Sequence, residues 1–359
     1  MPSKIYAEPD LDSIGQDWQL PPEGNGTEPG GGMPEAPVAL SVADILALKA
    51  PEQRVLIEKV LPSRGAIFFA GAHKTGKTVV AVQMAISVAS GHPFMENYPV
   101  REPGAVIIVE QDDPAGGISV QDYFKVSPVP VTGLPISTFV RINHYFGPTF
   151  SAWLTAEIKK VNARAVILDS YTALRPGRER GGDLVKAESD EITQLNEIGL
   201  NCNCLILPLH HDSKGTFGMD WSDRLPGTYA MGAGSDGQIH ISRFRDSLDD
   251  AKERILRVRT RHGEDHQMVI RFRKSTLDYE LVFDGPAACM FPELQQIHTE
   301  FSNGTFTPKE LYQATGLPRA TAFRLLARLR AAGAVTWRTG GNYSLATEVL
   351  IALQGRVDA

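Results

Sequence analysis

Cysteine is scarce in this chain. Cys202, Cys204 and Cys289 are the only three among 359 residues. They give neither a disulfide framework nor a zinc-ligand spacing, which points to a reducing, cytoplasmic setting. Long apolar runs are missing too. None approaches the ~20 residues of a membrane helix, so no membrane association is expected. Met1 to Gln19 is acidic with no apolar core, so no signal peptide is expected. There is also no excess of basic charge. The formal net charge is −6, which excludes a bulk polyanion binder and requires any nucleic-acid contact to come from local basic features.

What is present is the composition of a globular protein, 42% hydrophobic and 22% charged, at a length that suggests about two domains. Residues 1–40 are expected to be disordered, because Pro and Gly fill ten of the seventeen positions from Pro21 to Pro37. Ser41 to Leu46 reads as a short capped helix. Then comes the stretch that organises the chain: Gly71-Ala72-His73-Lys74-Thr75-Gly76-Lys77-Thr78. It follows the apolar run Ala66 to Ala70 and precedes an amphipathic run from Val79 to Ser90, so the order is strand, glycine loop, helix. That is the G-x-x-x-x-G-K-[ST] phosphate loop in its required context. The backbone N–H groups from Gly71 to Thr78 would cradle phosphates at the positive end of the helix dipole. Lys77 would reach the β- and γ-phosphates, and Thr78 would hold Mg2+. ATP and magnesium are the expected ligands.

Three further apolar runs each end in polar residues. Ala105 to Val109 ends in Glu110-Gln111-Asp112-Asp113-Pro114, where a nucleotide hydrolase keeps its water-activating base. Ala165 to Leu168 ends in Asp169, the Walker B pattern, and Asp169 would join Thr78 at the metal. Cys204 to Leu209 ends in His210-His211-Asp212-Ser213-Lys214. Adjacent residues of an extended chain point to opposite sides, so the two histidines make a poor chelate, and a γ-phosphate sensor is the better reading. Between these runs lies a basic, glycine-containing loop with Arg175, Arg178, Arg180 and Lys186, followed by a helix from Leu184 to Ile198. Residues 227–283 read as antiparallel strands, with arginines alternating from Arg254 to Arg261.

Residues 285–290 are expected to be a linker, 291–348 a separate domain, and 349–359 a tail. Phe291 to Phe301 reads as a helix. Thr307-Pro308-Lys309-Glu310 is a capping box opening a second helix. A third helix runs from Pro318 to Ala332, and two short strands turn at Gly340-Gly341. This is the winged helix-turn-helix order. Pro292 to Leu345 holds six Lys/Arg and three Glu, which favours DNA, through Arg319 and Arg324 among others; protein docking is the competing reading.

Together GAHKTGKT, VIIVEQDDP, VILDS, LPLHHDSKG and GTYAMGAGSDGQIHISR resemble, in order and kind, RecA-fold AAA-type ATPases of the RepA type, the hexameric helicases of plasmids and phages. The resemblance spans 41–284 and implies an α/β RecA-like core: a mostly parallel sheet with antiparallel edge strands. It implies a catalytic acid just after the second strand. Asp112 stands where the family usually has Glu, and Glu110 is the nearest glutamate, so the two are taken jointly. It implies a γ-phosphate sensor at His211. Arg259-Thr260-Arg261-His262-Gly263 resembles the basic element that reaches a neighbour's nucleotide, with Arg261 as the finger and Arg259 its companion. A ring, a hexamer by resemblance, follows. Channel loops at 172–186 and 212–226 would offer Arg175, Arg178, Arg180, Lys214 and Arg224 to single-stranded DNA.

The resulting expectation is a DNA-dependent ATPase, with helicase action in view, serving mobile-element, phage or plasmid replication alongside a replication initiator or primase. The alternative is an ATP-switched DNA-binding regulator or partition or loading protein that uses the winged helix on duplex DNA. Lys74 lies three residues before Lys77 and does not fit the partition-type loop. A metabolic kinase is disfavoured, because no acceptor-binding lid is recognisable.

Overall fold

The structure, a computed structural model, describes residues 39, 41–47, 54–175, 184–212, 235–243, 252–261 and 265–354. The chain divides into two units, Met1–Pro51 and Glu52–Ala359. In the first, helix α1 (Val42–Ala47) is the described element. The expected disorder of 1–40 falls almost wholly outside the described residues.

The second unit is built on a nine-stranded sheet. Its strands are β3 (Gly65–Gly71), β4 (Val106–Glu110), β5 (Ile136–Val140), β6 (Ala165–Asp169), β7 (Leu205–His211), β8 (Gly237–Ser242), β9 (Glu253–Thr260), β10 (His266–Arg273) and β11 (Asp278–Asp284), in the order β11-β10-β9-β8-β3-β7-β6-β4-β5. A separate antiparallel pair, β1 (Val55–Ile57) and β2 (Leu61–Pro62), precedes it. Strands β8 through β5 in that order are mutually parallel. Their runs are unbroken apolar rather than alternating because helices cover both faces, and β3, β4 and β6 are buried along their whole length. Residues 227–283 correct the antiparallel reading in part. β8 pairs parallel with β3, and the antiparallel extension is β9, β10 and β11.

Helix α2 (Lys77–Ser90) lies on one face. It is apolar almost all round because the sheet packs on one side and the antiparallel extension folds against the other. Val80 and Met84 share a core with Ile67, Leu256, Val258, Met268 and Tyr279. Helix α3 (Ile118–Lys125) adds Val120 against Val82 and Ile86. On the opposite face sit α4 (Pro148–Val161) and α5 (Leu184–Asn201), burying Phe150, Leu154, Ile192 and Leu195 against Phe68, Ile107 and Val166.

The C-terminal part comprises α6 (Phe291–Phe301), α7 (Pro308–Thr315), α8 (Arg319–Ala331), β12 (Val335–Trp337), β13 (Tyr343–Leu345) and α9 (Thr347–Gln354). That is a winged helix. The capping box is present: Glu310 N donates to Thr307 Oγ1 at 3.2 Å, and Thr307 N donates to Glu310 Oε2 at 2.7 Å. The expected linker at 285–290 is corrected. It contains a tight turn in which Ala287, Ala288 and Met290 are buried. They belong to one apolar cluster that runs from Val269 and Phe283 of the sheet extension to Phe291, Leu294, Leu311 and Leu329 of the winged helix. Burying these side chains removes apolar area from water on both partners, so neither part ends at the turn. Among the described residues no helix is long and apolar enough to cross a membrane.

A shared core predicts shared unfolding. Leu294→Ala should lower stability by about 2–5 kcal/mol, since the deletion leaves a cavity at the join. It should also shift the loss of sheet and winged-helix signals together in urea. Two separated transitions in the parent protein would contradict the continuous core.

Candidate nucleotide site

The phosphate loop hangs between β3 and α2. Gly76 adopts φ 102°, a left-handed conformation that β-carbon-bearing residues rarely take, and a side chain there would strike Tyr279. A Cβ on Gly71 would strike Ile241 O at 2.6 Å. The loop is clamped from the sheet extension. Tyr279 Oη donates to Thr75 O at 3.1 Å, and the Gln83 amide exchanges two hydrogen bonds with the Tyr279 backbone at 2.8 and 3.1 Å.

Lys77 is buried inside the loop. Its ammonium donates to Gly71 O at 2.7 Å, Ala72 O at 3.0 Å and His211 Nδ1 at 3.0 Å. Burial pulls its pKa down to about 8, partly offset by attraction to Asp169, Asp212 and Asp112. A lysine ammonium can only donate, so Nδ1 of His211 accepts and Nε2 bears the proton. That nitrogen stands 3.6 Å from Asp112 Oδ2. His211 also stacks on the loop residue His73, with ring centroids 3.8 Å apart. His210 turns the other way, packs against Tyr171, and has its pKa lowered to about 4 by burial. One strand end thus separates two neighbouring histidines into a core residue and a site residue.

Thr78 Oγ1 donates to Asp169 Oδ2 at 2.6 Å. A hydroxyl and a buried carboxylate held together at the mouth of a phosphate loop are hard oxygen donors that fit magnesium. Burial raises the Asp169 pKa, against the hydrogen bond from Thr78. On the next strand Glu110 is the register partner of Asp169. Its Oε1 accepts from the N–H groups of Asp112 at 2.9 Å and Asp113 at 2.8 Å. Burial first, then the charge of Asp169, pushes its pKa up to about 7 from an ordinary 4.5. Asp112 goes the opposite way, lowered chiefly by its hydrogen bond to His211. Asp113 caps the turn into α3 by accepting from Ala115, Gly117 and Ser119.

The arginine pair is elsewhere. Gly71 is level with Ile241 at the carboxyl ends of the parallel strands, whereas Gly237 pairs with Thr260 at their amino ends. The four residue steps between these levels on β3, from Ile67 to Gly71, span about 13 Å. Arg259 and Arg261 therefore lie at the edge away from their own phosphate loop. Arg259 makes a forked pair with Asp265, the shortest contact being 2.6 Å. Arg261 stands 3.7 Å from Asp236 and donates to Ser235 O at 3.3 Å. Near the loop itself Arg243 contacts Lys74 O at 3.5 Å.

Arg175, one of the expected DNA contacts, is held inward. It is largely buried and pairs with Glu188 at 3.1 Å and Glu191 at 3.0 Å, beside Tyr171. Two carboxylates within reach hold the guanidinium inward. Arg178, Arg180, Lys214 and Arg224 lie outside the described residues. Arg319 and Arg324 are exposed on α8. The Tyr279 clamp, the His73 stack and Arg243 had no motif to announce them. A lone aromatic in an alternating strand was the one available signal, and it says nothing of where the strand folds.

Residues 33–216, more than half of the chain, match the AAA domain family. The chain belongs to this P-loop ATPase family. Residues 302–339 match the IclR helix-turn-helix domain. No curated protein sequence matches the chain. Solved structures with similarity include an ATPase domain at 10% identity and TM-score 0.47, covering 61% of this chain and 84% of that one. Another is a DnaB-like replicative helicase studied with primase, at 10% identity and TM-score 0.45, covering 61% and 59%. A third is the RadB recombinase, at 16% identity and TM-score 0.40, covering 60% and 90%. The AAA core here is RecA-like in its own topology: a mostly parallel sheet, with the phosphate-loop strand separated from the Asp169 strand by β7. It is an ATPase core with a C-terminal winged helix.

The Glu110 environment has a pH signature. Between about pH 4.5 and 7 the folded AAA core keeps a proton that the unfolded chain has released. Stability therefore falls as pH rises through that window, by roughly 3 kcal/mol in all. Glu110→Gln should match the parent near pH 4.5 and exceed it above pH 7 in denaturant titrations without magnesium. A stability difference that is the same at every pH would refute the buried-carboxyl account.

Proposed function

We propose that this chain is an oligomeric, DNA-dependent ATPase of the RepA helicase kind, hydrolysing ATP at interfaces within a ring, a hexamer by resemblance. The observation that carries the reading is the distance between Gly71–Thr78 and the Arg259–Arg261 element within one copy, which a second copy would bridge. The loop amides and Lys77 bind the β- and γ-phosphates, and Lys77 exchanges the Gly71 and Ala72 carbonyls for phosphate oxygens. Thr78 and Asp169 would hold magnesium, whose charge neutralises phosphate oxygens when it is bound. A cavity of about 190 Å³ opens beside Val79, Tyr123 and Tyr279, where the base and ribose would find room.

Glu110 is the general base. Its pKa of about 7 suits proton abstraction near neutrality, whereas Asp112, pulled down by His211, is the weaker base. Asp112 instead orients His211, which senses the γ-phosphate next to Lys77. Arg261 of a neighbouring copy, with Arg259 beside it, stabilises charge on the transferring group. Loops 172–186 and 212–226, through Arg178, Arg180, Lys214 and Arg224, track single-stranded DNA, while Arg319 and Arg324 contact DNA from the winged helix. Cytoplasmic work in mobile-element, phage or plasmid replication, with an initiator or primase as partner, is the setting. The helix-turn-helix match favours a second reading, in which ATP sets only the oligomeric state of a duplex-binding regulator or loading protein.

Lys77→Ala should abolish ATP hydrolysis, and single-stranded DNA should stimulate the parent. Hydrolysis that DNA leaves unchanged would favour the second reading. Arg261→Ala should cost about 10³-fold or more in kcat. Mixing Lys77→Ala with Arg261→Ala protein should restore part of the activity, because an intact loop then meets an intact finger. A mixture as inactive as its components, though co-assembled by native mass spectrometry, would overturn the shared site.

A further inference from the structure

The winged helix separates its charges by element. From Leu311 to Thr347 there are five arginines and no acidic residue. Helix α8 turns Ala322, Leu325, Leu326 and Leu329 into the core, which leaves Arg319, Phe323, Arg324, Arg328 and Arg330 on the outward arc. The acidic residues of the module, Glu293, Glu300, Glu310 and Glu348, belong to α6, α7 and α9. Such a field suits a polyanion.

Two large aromatics are exposed close in sequence to these arginines. Phe323 on α8 is 46% exposed, and Trp337 on β12 is 50% exposed. The Arg319 guanidinium lies over the Phe323 ring at 5.7 Å from its centre. Strand β12 is fixed directly to the end of α8, because Ala334 N donates to Leu329 O at 2.8 Å. Neither ring contributes to the apolar cluster below. An intact duplex offers the protein phosphates, sugars and base edges, for which arginines suffice. Its base faces are hidden in the stack. An exposed ring among arginines can meet a thymine methyl in a groove, but it gains most from DNA where a base face is open to it.

We propose that the α8–β12 face binds DNA at an opened position, a fork or a duplex with a single-stranded arm. Arg319, Arg324, Arg328 and Arg330 meet the phosphates, while Phe323 and Trp337 stack on unpaired bases. This rests on the reading that the winged helix contacts DNA, and names the class of DNA it selects. In an assembly that handles single strands in its channel, such a face would seat the protein where strands part.

The test is anisotropy with the full chain, without nucleotide, on two probes of the same sequence: a blunt duplex, and that duplex with a thymidine arm carrying 2-aminopurine at its first unpaired position. Phe323→Ala and Trp337→Ala should each weaken binding to the armed probe about tenfold, leave blunt-duplex binding within twofold, and lose the 2-aminopurine quench. Phe323→Tyr and Trp337→Phe should restore it. Arg324→Ala with Arg328→Ala should weaken both probes. If the arginine changes weaken both probes and the alanine changes at the aromatics do nothing, the inference fails while the DNA reading of the winged helix stands. If no variant changes binding, both fail. Equal loss on both probes would overturn selection of open DNA. A shift in oligomeric state on changing the aromatics, with DNA binding kept, would assign the face to protein contact and overturn the inference as well.

Discussion

The site depends on one constraint, the flush parallel register of the central strands. Gly71 is level with His211, and Glu110 with Asp169. Parallel pairing fixes that alignment along each ladder, so the polar residues that end the apolar runs emerge at one edge. Nothing else in the fold needs to aim them. A slip of one residue in β4 would turn Glu110 to the opposite face and leave a buried carboxyl in an apolar core. The heavy burial of β3, β4 and β6 is what pins the register. Chemistry at the edge is therefore a consequence of packing in the middle.

That edge is held closed on itself. Lys77 is satisfied by two loop carbonyls and His211, Thr78 by Asp169, and Glu110 by two backbone N–H groups. Each of these partners competes with a phosphate or a metal. Burial has already moved the ionisable groups toward neutrality, Lys77 downward and Glu110 upward. A triphosphate entering such a site meets groups whose water has been removed in advance, so its own charge is the large new term. The same desolvation explains why the two acids of the second strand separate in character. Glu110 is buried against Asp169, whereas Asp112 sits in the open beside a histidine that favours its ionised form.

Much of this could be read from the residues, for a physical reason. The glycine loop, the Asp after four apolar residues and the capping box are local signals, and local conformation is what short spacing encodes. Buried parallel strands likewise announce themselves as unbroken apolar runs. Contacts between distant segments were not legible. Tyr279 lies some two hundred residues from the loop it clamps, and no periodicity states that β11 folds back across α2. Arg175 looked like one more arginine of a basic loop; its commitment to Glu188 and Glu191 depends on where α5 packs. The stretch from 285 to 290 has linker composition, but Ala287 and Ala288 are small enough to be buried at a junction, and composition alone does not separate those cases. Residue 237 shows the same limit for direction, since a short alternating strand reads alike whether it pairs parallel or antiparallel.

The sheet extension is where these long-range contacts converge. One end of β11 presents Tyr279 to the phosphate loop, and the other presents Phe283 to Phe291 of the winged helix. Strand β9, two places over in the same ladder, carries Arg259 near its end and is followed directly by Arg261. Three adjacent strands thus touch the nucleotide loop, the element expected to reach a neighbouring copy, and the base of the winged helix. Ladder hydrogen bonds make these strands move as a unit more readily than they slide past one another. The winged helix packs on the same three-stranded ladder that clamps the loop and carries Arg259. The clamp is a single hydroxyl donating to Thr75 O, a contact worth about 1 kcal/mol in net terms.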